Sequence, residues 1–402
     1  MRNDKIFKKI DSYDRAVIAR KNGIYPYFRE ILSQQDTEVT LKNNSRVIML
    51  GSNSYLGLQT HPEVKEAAIK AVEKYGTGCA GSPFLNGTLD IHKELEQELA
   101  YFVGKEDAML FSTGFMANLG TISTLASRND CIIMDRSNHA SLVDAAKLSF
   151  GNVIKFRHNN YEDLETKLKM IDSAKGKLIA VDGVFSMEGD LADIPSIIRI
   201  AKKYNCSVMI DDAHGIGVMG NAGEGTVNHF GLTEEVDIIM GTFSKSLASI
   251  GGFVAADFRT IDFLRHHSRS LIFSASVTPA SAATALASLK IIKNEPERIE
   301  KLWANTLYMK EKLHKAGLST GGSATPIIPI FVGNDEKAFL ICKNLERDGI
   351  FVNPVISPAV PEEQALIRVS LMATHSFPQI DYSVDIIKKN FENLGVCNDS
   401  SK

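Results

Sequence analysis

The sequence predicts an α/β fold: a mostly parallel central sheet with helices on both faces, followed by a smaller C-terminal α+β domain. Three observations carry this. Short apolar runs alternate with helix-length stretches through the first two thirds of the chain, the pattern of βαβ units. The runs are apolar throughout, as strands buried on both faces are. From about Ser288 the spacing changes to a long helical stretch, three β-like runs and a final helix. The 402 residues exceed what one small core needs, and the predicted parts are an N-terminal segment 1–58, a large domain 59–287 and a small domain 288–402. No repeat or low-complexity linker separates them, which predicts close packing.

Val64, Ala67, Ala68, Ala71, Val72 and Tyr75 keep the rhythm of a buried helix face, with Pro62 near the start and Gly76 past the end. A second helix carries Ile91, Leu95, Leu99 and Phe102 inward and stops at Gly104. Predicted strands follow at Ala108–Phe111, Cys131–Met134, Leu178–Val181, Val208–Ile210 and Val236–Met240, then at Ile327–Val332, Ile350–Val355 and Leu366–Leu371. Gly76-Thr77-Gly78-Cys79-Ala80-Gly81 satisfies G-x-G-x-x-G, but it follows a helix and leads into Ser82-Pro83-Phe84. A dinucleotide turn must follow a strand and open a helix, so these glycines fit a loop that passes close to a ligand better.

A net charge of −3 from nearly balanced acidic and basic counts offers no field for nucleic acid. Cys79, Cys131, Cys206, Cys342 and Cys397 are scattered without a CxxC pair, against a disulfide framework or zinc knuckle and in keeping with a reducing cytoplasm. The N-terminus lacks the apolar core of a secretory signal, and no run approaches the roughly 20 apolar residues of a membrane span. A soluble, cytoplasmic protein is expected. Lys5-Ile6-Phe7-Lys8-Lys9-Ile10 mixes basic and apolar residues, which fits either a packing helix or peripheral contact with the inner membrane surface.

Four strand ends carry candidate chemistry, the place where α/β sheets bind ligands. Gly241-Thr242-Phe243-Ser244-Lys245-Ser246 puts Lys245 after a strand amid small hydroxyl residues, where a desolvated amine could form an imine; a lone lysine there is otherwise a solvated loop residue. Asp211-Asp212-Ala213-His214 follows another strand. A buried Asp211 needs a partner, and a protonated pyridine nitrogen would be one, with His214 reaching the phenolate oxygen of the same ring. A metal pair competes, without a third ligand at recognisable spacing. Ser112-Thr113-Gly114-Phe115 opens a helix whose free N–H groups suit a phosphate, or marks only an N-cap. His139, in Asp135-Arg136-Ser137-Asn138-His139, could stack on an aromatic cofactor or be structural.

These motifs, in this order, resemble the α-oxoamine synthases, fold-type-I pyridoxal-phosphate transferases that condense an amino acid with an acyl-CoA thioester and release carbon dioxide. The likeness spans nearly the whole chain. It is strongest to the bacterial serine palmitoyltransferase branch, through Gly51-Ser52-Asn53-Ser54-Tyr55-Leu56-Gly57-Leu58, Tyr75 to Ser82, Phe84 to Asp90, Phe185 to Asp190 and Gly241 to Leu247. The resemblance implies pyridoxal 5'-phosphate held as a Schiff base on Lys245, with Asp211 at the pyridine nitrogen and His139 over the ring. It implies His214 and Ser186 at the phenolate oxygen, and Ser112, Gly114, Phe115, Thr242 and Ser244 at the phosphate. Ser274 and Ala275 would complete the phosphate cup from the partner of a homodimer. Arg368 would clamp the substrate carboxylate, with Asn53, Tyr55 and Ser82 bordering the pocket, and no metal is implied.

The implied reaction joins an amino acid, serine foremost, to a long-chain acyl-CoA to give a 3-keto amine, the first step of sphingolipid-type synthesis. One departure stands out: Pro83 follows Gly81-Ser82 where the serine enzymes carry arginine, which removes a cation and a backbone donor. Cysteate, as in sulfonolipid synthesis, is therefore a second candidate substrate, alongside sister reactions such as glycine C-acetyltransferase and 8-amino-7-oxononanoate synthase. An aminotransferase is the more distant alternative.

Overall fold

The computed structural model describes residues 5, 7–361 and 363–396, so Ile6 of the basic N-terminal run, Met1 and Cys397 lie outside the described residues. A hairpin of β1 (Glu38–Thr40) and β2 (Arg46–Met49) precedes the helix Pro62–Tyr75, whose first turn holds proline and whose end is Gly76 at φ 79°. Val64 and Ala71 of that helix are buried, but Val72 is 39% exposed, so the inward stripe is narrower than the sequence rhythm indicates. The helix Asp90–Val103 buries Leu95, Leu99 and Phe102 and ends at Gly104, whose left-handed φ of 71° closes its last turn.

Seven strands make the central sheet: β3 (Asp107–Phe111), β4 (Cys131–Asp135), β5 (Asn152–Phe156), β6 (Lys177–Asp182), β7 (Ser207–Asp211), β8 (Ile238–Thr242) and β9 (Gly252–Ala256). Their order is β3-β9-β8-β7-β6-β4-β5, with β9 antiparallel to both neighbours and the other pairs parallel. β5 and β9 escaped the sequence pattern for different reasons. β5 lies at an edge, so Asn152 and Lys155 face solvent and break the apolar run. β9, Gly252-Phe253-Val254-Ala255-Ala256, is fully buried but begins in a double glycine and reads as a turn.

Beyond the helices Pro279–Asn294 and Glu297–Lys315, β10 (Ile327–Gly333), β13 (Ala365–Ser370) and β12 (Asn353–Val355) pair antiparallel. The predicted run Ile350–Val355 is in fact two strands in two sheets. β11 (Ile350–Phe351) pairs parallel with β2, Ile350 opposite Ile48, while β12 joins β13. The break falls at Val352, whose carbonyl is taken by Arg29 Nη2 at 2.7 Å instead of a strand neighbour. The hairpin thus extends the C-terminal region, and Ser370 N donates to Leu50 O at 2.8 Å, which brings residues 50–58 against β13 and Arg368. Among the described residues no helix is long and apolar enough to cross a membrane.

Candidate active site

Parallel register brings the C-terminal ends of the middle strands together: Asp182 lies opposite Asp211, and Asp211 opposite Met240. Above these ends is a cavity of about 370 Å³ lined by Gly114, Phe115, His139, Asp182, Asp211, His214, Thr242, Ser244 and Lys245 among others. The four strand ends singled out in the sequence therefore converge on one site.

Lys245 is set by a turn anchored in the core. Phe243 is buried and stacked on Phe253, its N–H donates to Gly251 O at 3.0 Å, and Ser249 N donates back to Phe243 O at 3.0 Å. Gln59 Nε2 donates to Lys245 O at 3.3 Å, a tie from the N-terminal segment. Burial lowers the Lys245 amine to about 8; Arg368 adds to the effect, while Asp211 and Asp182 oppose it. A usable fraction of neutral amine is therefore present near neutral pH.

The buried carboxylate of Asp211 accepts from Asn118 Nδ2 at 2.7 Å and from the N–H of Ala213 at 3.0 Å. Asn118 also donates to Ser141 Oγ at 2.8 Å, and that hydroxyl lies 2.8 Å from His139 Nδ1. Asp182 accepts the His139 N–H at 2.8 Å. Burial, with Asp211 adding repulsion, pushes the Asp182 carboxyl well above the usual carboxylate range. Sequence reading assigned no role to Asn118, Ser141 or Asp182. The usable signals were Asn118 one helical turn past Gly114, Ser141 two residues past His139, and Asp182 ending a strand as Asp211 does.

At the opposite end the helix Gly114–Leu125 starts at the cavity, with Thr113 Oγ1 accepting from Met116 N at 3.2 Å. A Cβ at Gly114 would stand 2.9 Å from Thr242 Oγ1, so only glycine lets this helix start sit against the β8 end. Thr242 Oγ1 and Ser244 Oγ are 3.3 Å apart. Free helix N–H groups facing two hydroxyls form a cradle suited to phosphate.

Arg368, on β13, belongs to a wall that flanks the cavity and is not part of its lining, near enough for its charge to act on Lys245 and His214. Its Nε donates to Ser186 O at 2.6 Å and its Nη1 to Ser370 Oγ at 2.8 Å, while its buried Nη2 has no protein partner. An unpaired guanidinium nitrogen at 8% residue exposure calls for an anionic ligand. Tyr55 O–H and His214 Nδ1 are 2.7 Å apart. Burial raises the Tyr55 phenol to about 12, against the opposing pull of Arg368. Burial, helped by Lys245, Arg368 and His139, drives the His214 imidazole well below its ordinary value. A neutral ring can accept the Tyr55 proton at Nδ1, the arrangement that would put the His214 proton on Nε2.

The remaining predicted residues stand at the margins. Ser186 reaches the site through its carbonyl under Arg368. Asn53 and Ser82 each carry a buried oxygen without a partner. Ser112 donates to Ala275 O of its own chain, so Ser112, Ser274 and Ala275 sit together beside the cavity and do not line it. The glycines of residues 76–81 do lie in a loop: Gly81 O accepts from Ser276 N at 3.1 Å, and a Cβ on Gly81 would clash with Asn86.

A model of the aminotransferase class I and II family matches residues 45–387. The chain belongs to this family. Within it, the chain is 54% identical over 396 residues to the serine palmitoyltransferase of Sphingobacterium spiritivorum, covering 98% of this chain and 99% of that one. It is 53% identical to the serine palmitoyltransferase of Bacteroides thetaiotaomicron, covering 96% and 98%. An 8-amino-7-oxononanoate synthase of Alkaliphilus metalliredigens is more distant, at 41% over 92% of this chain and 94% of that one. A solved high-resolution structure of SPT with a PLP internal aldimine superposes with a TM-score of 0.94 at 33% identity, covering 98% of this chain and all of that one. The relatives place the chain among the α-oxoamine synthases of this aminotransferase-like fold. The Lys245 amine, the Asp211 carboxylate, the imidazoles of His139 and His214 and the helix-start cradle are groups of the kind that pyridoxal phosphate requires.

Proposed function

We propose that this chain is a pyridoxal-phosphate-dependent serine C-acyltransferase that joins serine to a long-chain acyl-CoA with loss of carbon dioxide and CoA, giving a 3-keto amine for sphingolipid-type synthesis. The observation that carries the reading is a cavity-lining Lys245 with the buried, unpartnered Arg368 Nη2 close enough for the guanidinium charge to lower the Lys245 amine, in a chain 54% identical to a serine palmitoyltransferase. An α-amino acid offers groups for both: an α-carbon proton for the amine and a carboxylate for the guanidinium.

Bound pyridoxal phosphate supplies an aldehyde for amine exchange and an electron sink at the α-carbon. The chain's own residues do the rest. Asp211, fixed by Asn118 and Ala213, would face the pyridine nitrogen. His214, with its proton on Nε2, would donate toward the ring oxygen. Arg368 Nη2 holds the amino-acid carboxylate, and the neutral Lys245 amine takes the α-proton. The α-carbon then bonds to the thioester carbonyl, CoA leaves as the thiol with that proton, and the carboxylate departs as carbon dioxide from beside His139, with a proton from solvent taking its place on the α-carbon.

The proposal includes a homodimer in the cytoplasm. Phe115 and Ile250, both lining the cavity, are 43% and 60% exposed, and Phe273 is 76% exposed. A second copy would cover this apolar rim and bring its own Ser274 and Ala275 to the phosphate cradle. Peripheral contact with the inner membrane surface would use the exposed Ile10, Tyr13, Val17 and Ile18 beside Lys8, Lys9 and Arg15. The carrier is taken as CoA.

A panel of serine, cysteate, glycine and alanine with palmitoyl-CoA tests the reading. Serine should give equimolar CoA and carbon dioxide at the highest efficiency. Pro83 makes cysteate the informative competitor: the Pro83 carbonyl accepts from Thr88 Oγ1 at 2.7 Å, and the proline supplies neither the cation nor the backbone donor of an arginine. Cysteate preference would move the product to a sulfonolipid precursor, and keto-acid formation without CoA release would overturn the acyltransferase reading.

A further inference from the structure

Beside the cavity, His158 stands between two carboxylates from different elements. Its Nδ1 is 3.0 Å from Asp135 Oδ1 and its Nε2 is 3.0 Å from Asp190 Oδ2. An ionised carboxylate only accepts, so both ring nitrogens must donate, and only the imidazolium carries two N–H groups. Burial opposes the charge, but the hydrogen bonds and charges of Asp135 and Asp190 outweigh it and raise the ring to about 10. At neutral pH His158 is a cation.

Each carboxylate closes a turn that ends in the site. Asp135 terminates β4 and accepts the N–H groups of Ser137 and Asn159, both at 2.8 Å. Its carbonyl accepts from Asn138 N at 3.2 Å, and the next residue is His139. Asp190 closes the other turn: its carbonyl accepts from Phe185 N at 3.0 Å, so the turn encloses Ser186, whose carbonyl holds Arg368 Nε. The His158 ring meets Phe185 edge-on, with centroids 4.5 Å apart and planes at 86°. Asn159 repeats the bridge, giving its N–H to Asp135 and its Nδ2 to Asp190 at 2.6 Å. None of His158, Asp135 and Asp190 lines the cavity, so their effect on a ligand must pass through the two turns.

We propose that His158 is a positioning residue for amino-acid binding: its imidazolium ties the His139 turn to the Ser186 turn and thereby sets the direction of Arg368. The proposal rests on Arg368 being the carboxylate anchor. The bridge needs donors on two atoms pointing apart; glutamine, with donors on one nitrogen, can serve only one carboxylate from the same place.

The test compares His158→Gln, Asp190→Asn and Arg368→Lys in the full-chain holoprotein. Serine affinity is read from the cofactor's visible absorbance, and kcat and KM from CoA release. His158→Gln should weaken serine binding and raise the serine KM about tenfold, with kcat within about twofold and cofactor occupancy and acyl-CoA KM unchanged. Asp190→Asn, which keeps the shape and removes one charge, should move serine affinity the same way by about threefold and serves if the histidine variant does not fold. The double variant should be no worse than His158→Gln alone. Wild-type serine affinity in both single variants, with Arg368→Lys impaired, overturns the role of His158 and leaves the anchor standing. A fall in kcat without a change in serine affinity overturns it as well. Unchanged serine affinity in Arg368→Lys removes the anchor and this proposal with it.

Discussion

The floor of the cavity and the wall that flanks it are built in opposite ways. The floor takes each residue from the end of a strand in one sheet: Asp182 from β6, Asp211 from β7, and Thr242 with the turn to Lys245 from β8. Parallel register alone aligns them. The wall joins distant segments: Tyr55 from the N-terminal part, Ser186 from the loop after β6, and Arg368 from β13, held by side-chain and carbonyl contacts. A floor fixed by a sheet suits a permanently held cofactor. A wall hung on a few hydrogen bonds suits the part that selects a substrate, where small changes alter affinity without disturbing the core.

If that division is right, changes to the floor remove chemistry and changes to the wall alter binding. Lys245→Ala should lower CoA release by more than about 10³-fold, since it removes both the covalent anchor and the base. Its far-UV circular dichroism should match wild type, because the lysine contributes chemistry and not core packing. Appreciable steady-state turnover would break the assignment. Arg368→Ala should raise the serine KM about 30-fold, the scale of a lost charge-assisted pair, and leave the cofactor's absorbance in place. A variant that loses cofactor instead would erase the boundary between wall and floor.

The amine of Lys245 gives a pH signature for the floor. Its value in the folded chain, about 8, lies below the ordinary 10.5, so the neutral form grows as pH rises. Apoprotein should therefore capture added pyridoxal phosphate about tenfold faster at pH 9 than at pH 7, with the rise centred near 8. A flat profile would show that the lysine is not the capturing group. The same shift carries a stability sign: burying this lysine costs most below pH 8, where it must be charged, and the cost fades as pH rises through the folded value toward 10.5. The smallest effect should come from Tyr55→Phe, which leaves the proton of His214 free to occupy either nitrogen. Catalytic efficiency should fall about fivefold, in line with one buried hydrogen bond, with thermal stability little changed. Wild-type efficiency would show that His214 does not need its tautomer fixed.

The same contrast explains what the sequence could and could not disclose. Asp211 stands directly after an apolar run, and Lys245 and His139 follow theirs within a short polar turn, so a strand followed by polar residues is a local pattern that a linear reading detects. β9 and β5 were hidden because a double glycine and an edge lysine disrupt the apolar signal. The Tyr55–His214 and Arg368–Ser186 contacts span 159 and 182 residues, and no local spacing encodes them. Arg368 was found only because the surrounding motif resembles a family, and its unpaired nitrogen became visible in three dimensions. Val72 failed for a related reason: its apolar position on a helix face says nothing of which part of that face is covered.

Chemical mapping of the cofactor bond tests the central claim most directly. Borohydride reduction of the holoprotein should convert the imine to a stable secondary amine, and peptide mass analysis should place the pyridoxyl group on Lys245 and on no other lysine. Attachment at a different lysine, or a reduced protein with no attached group, would contradict the account at its foundation.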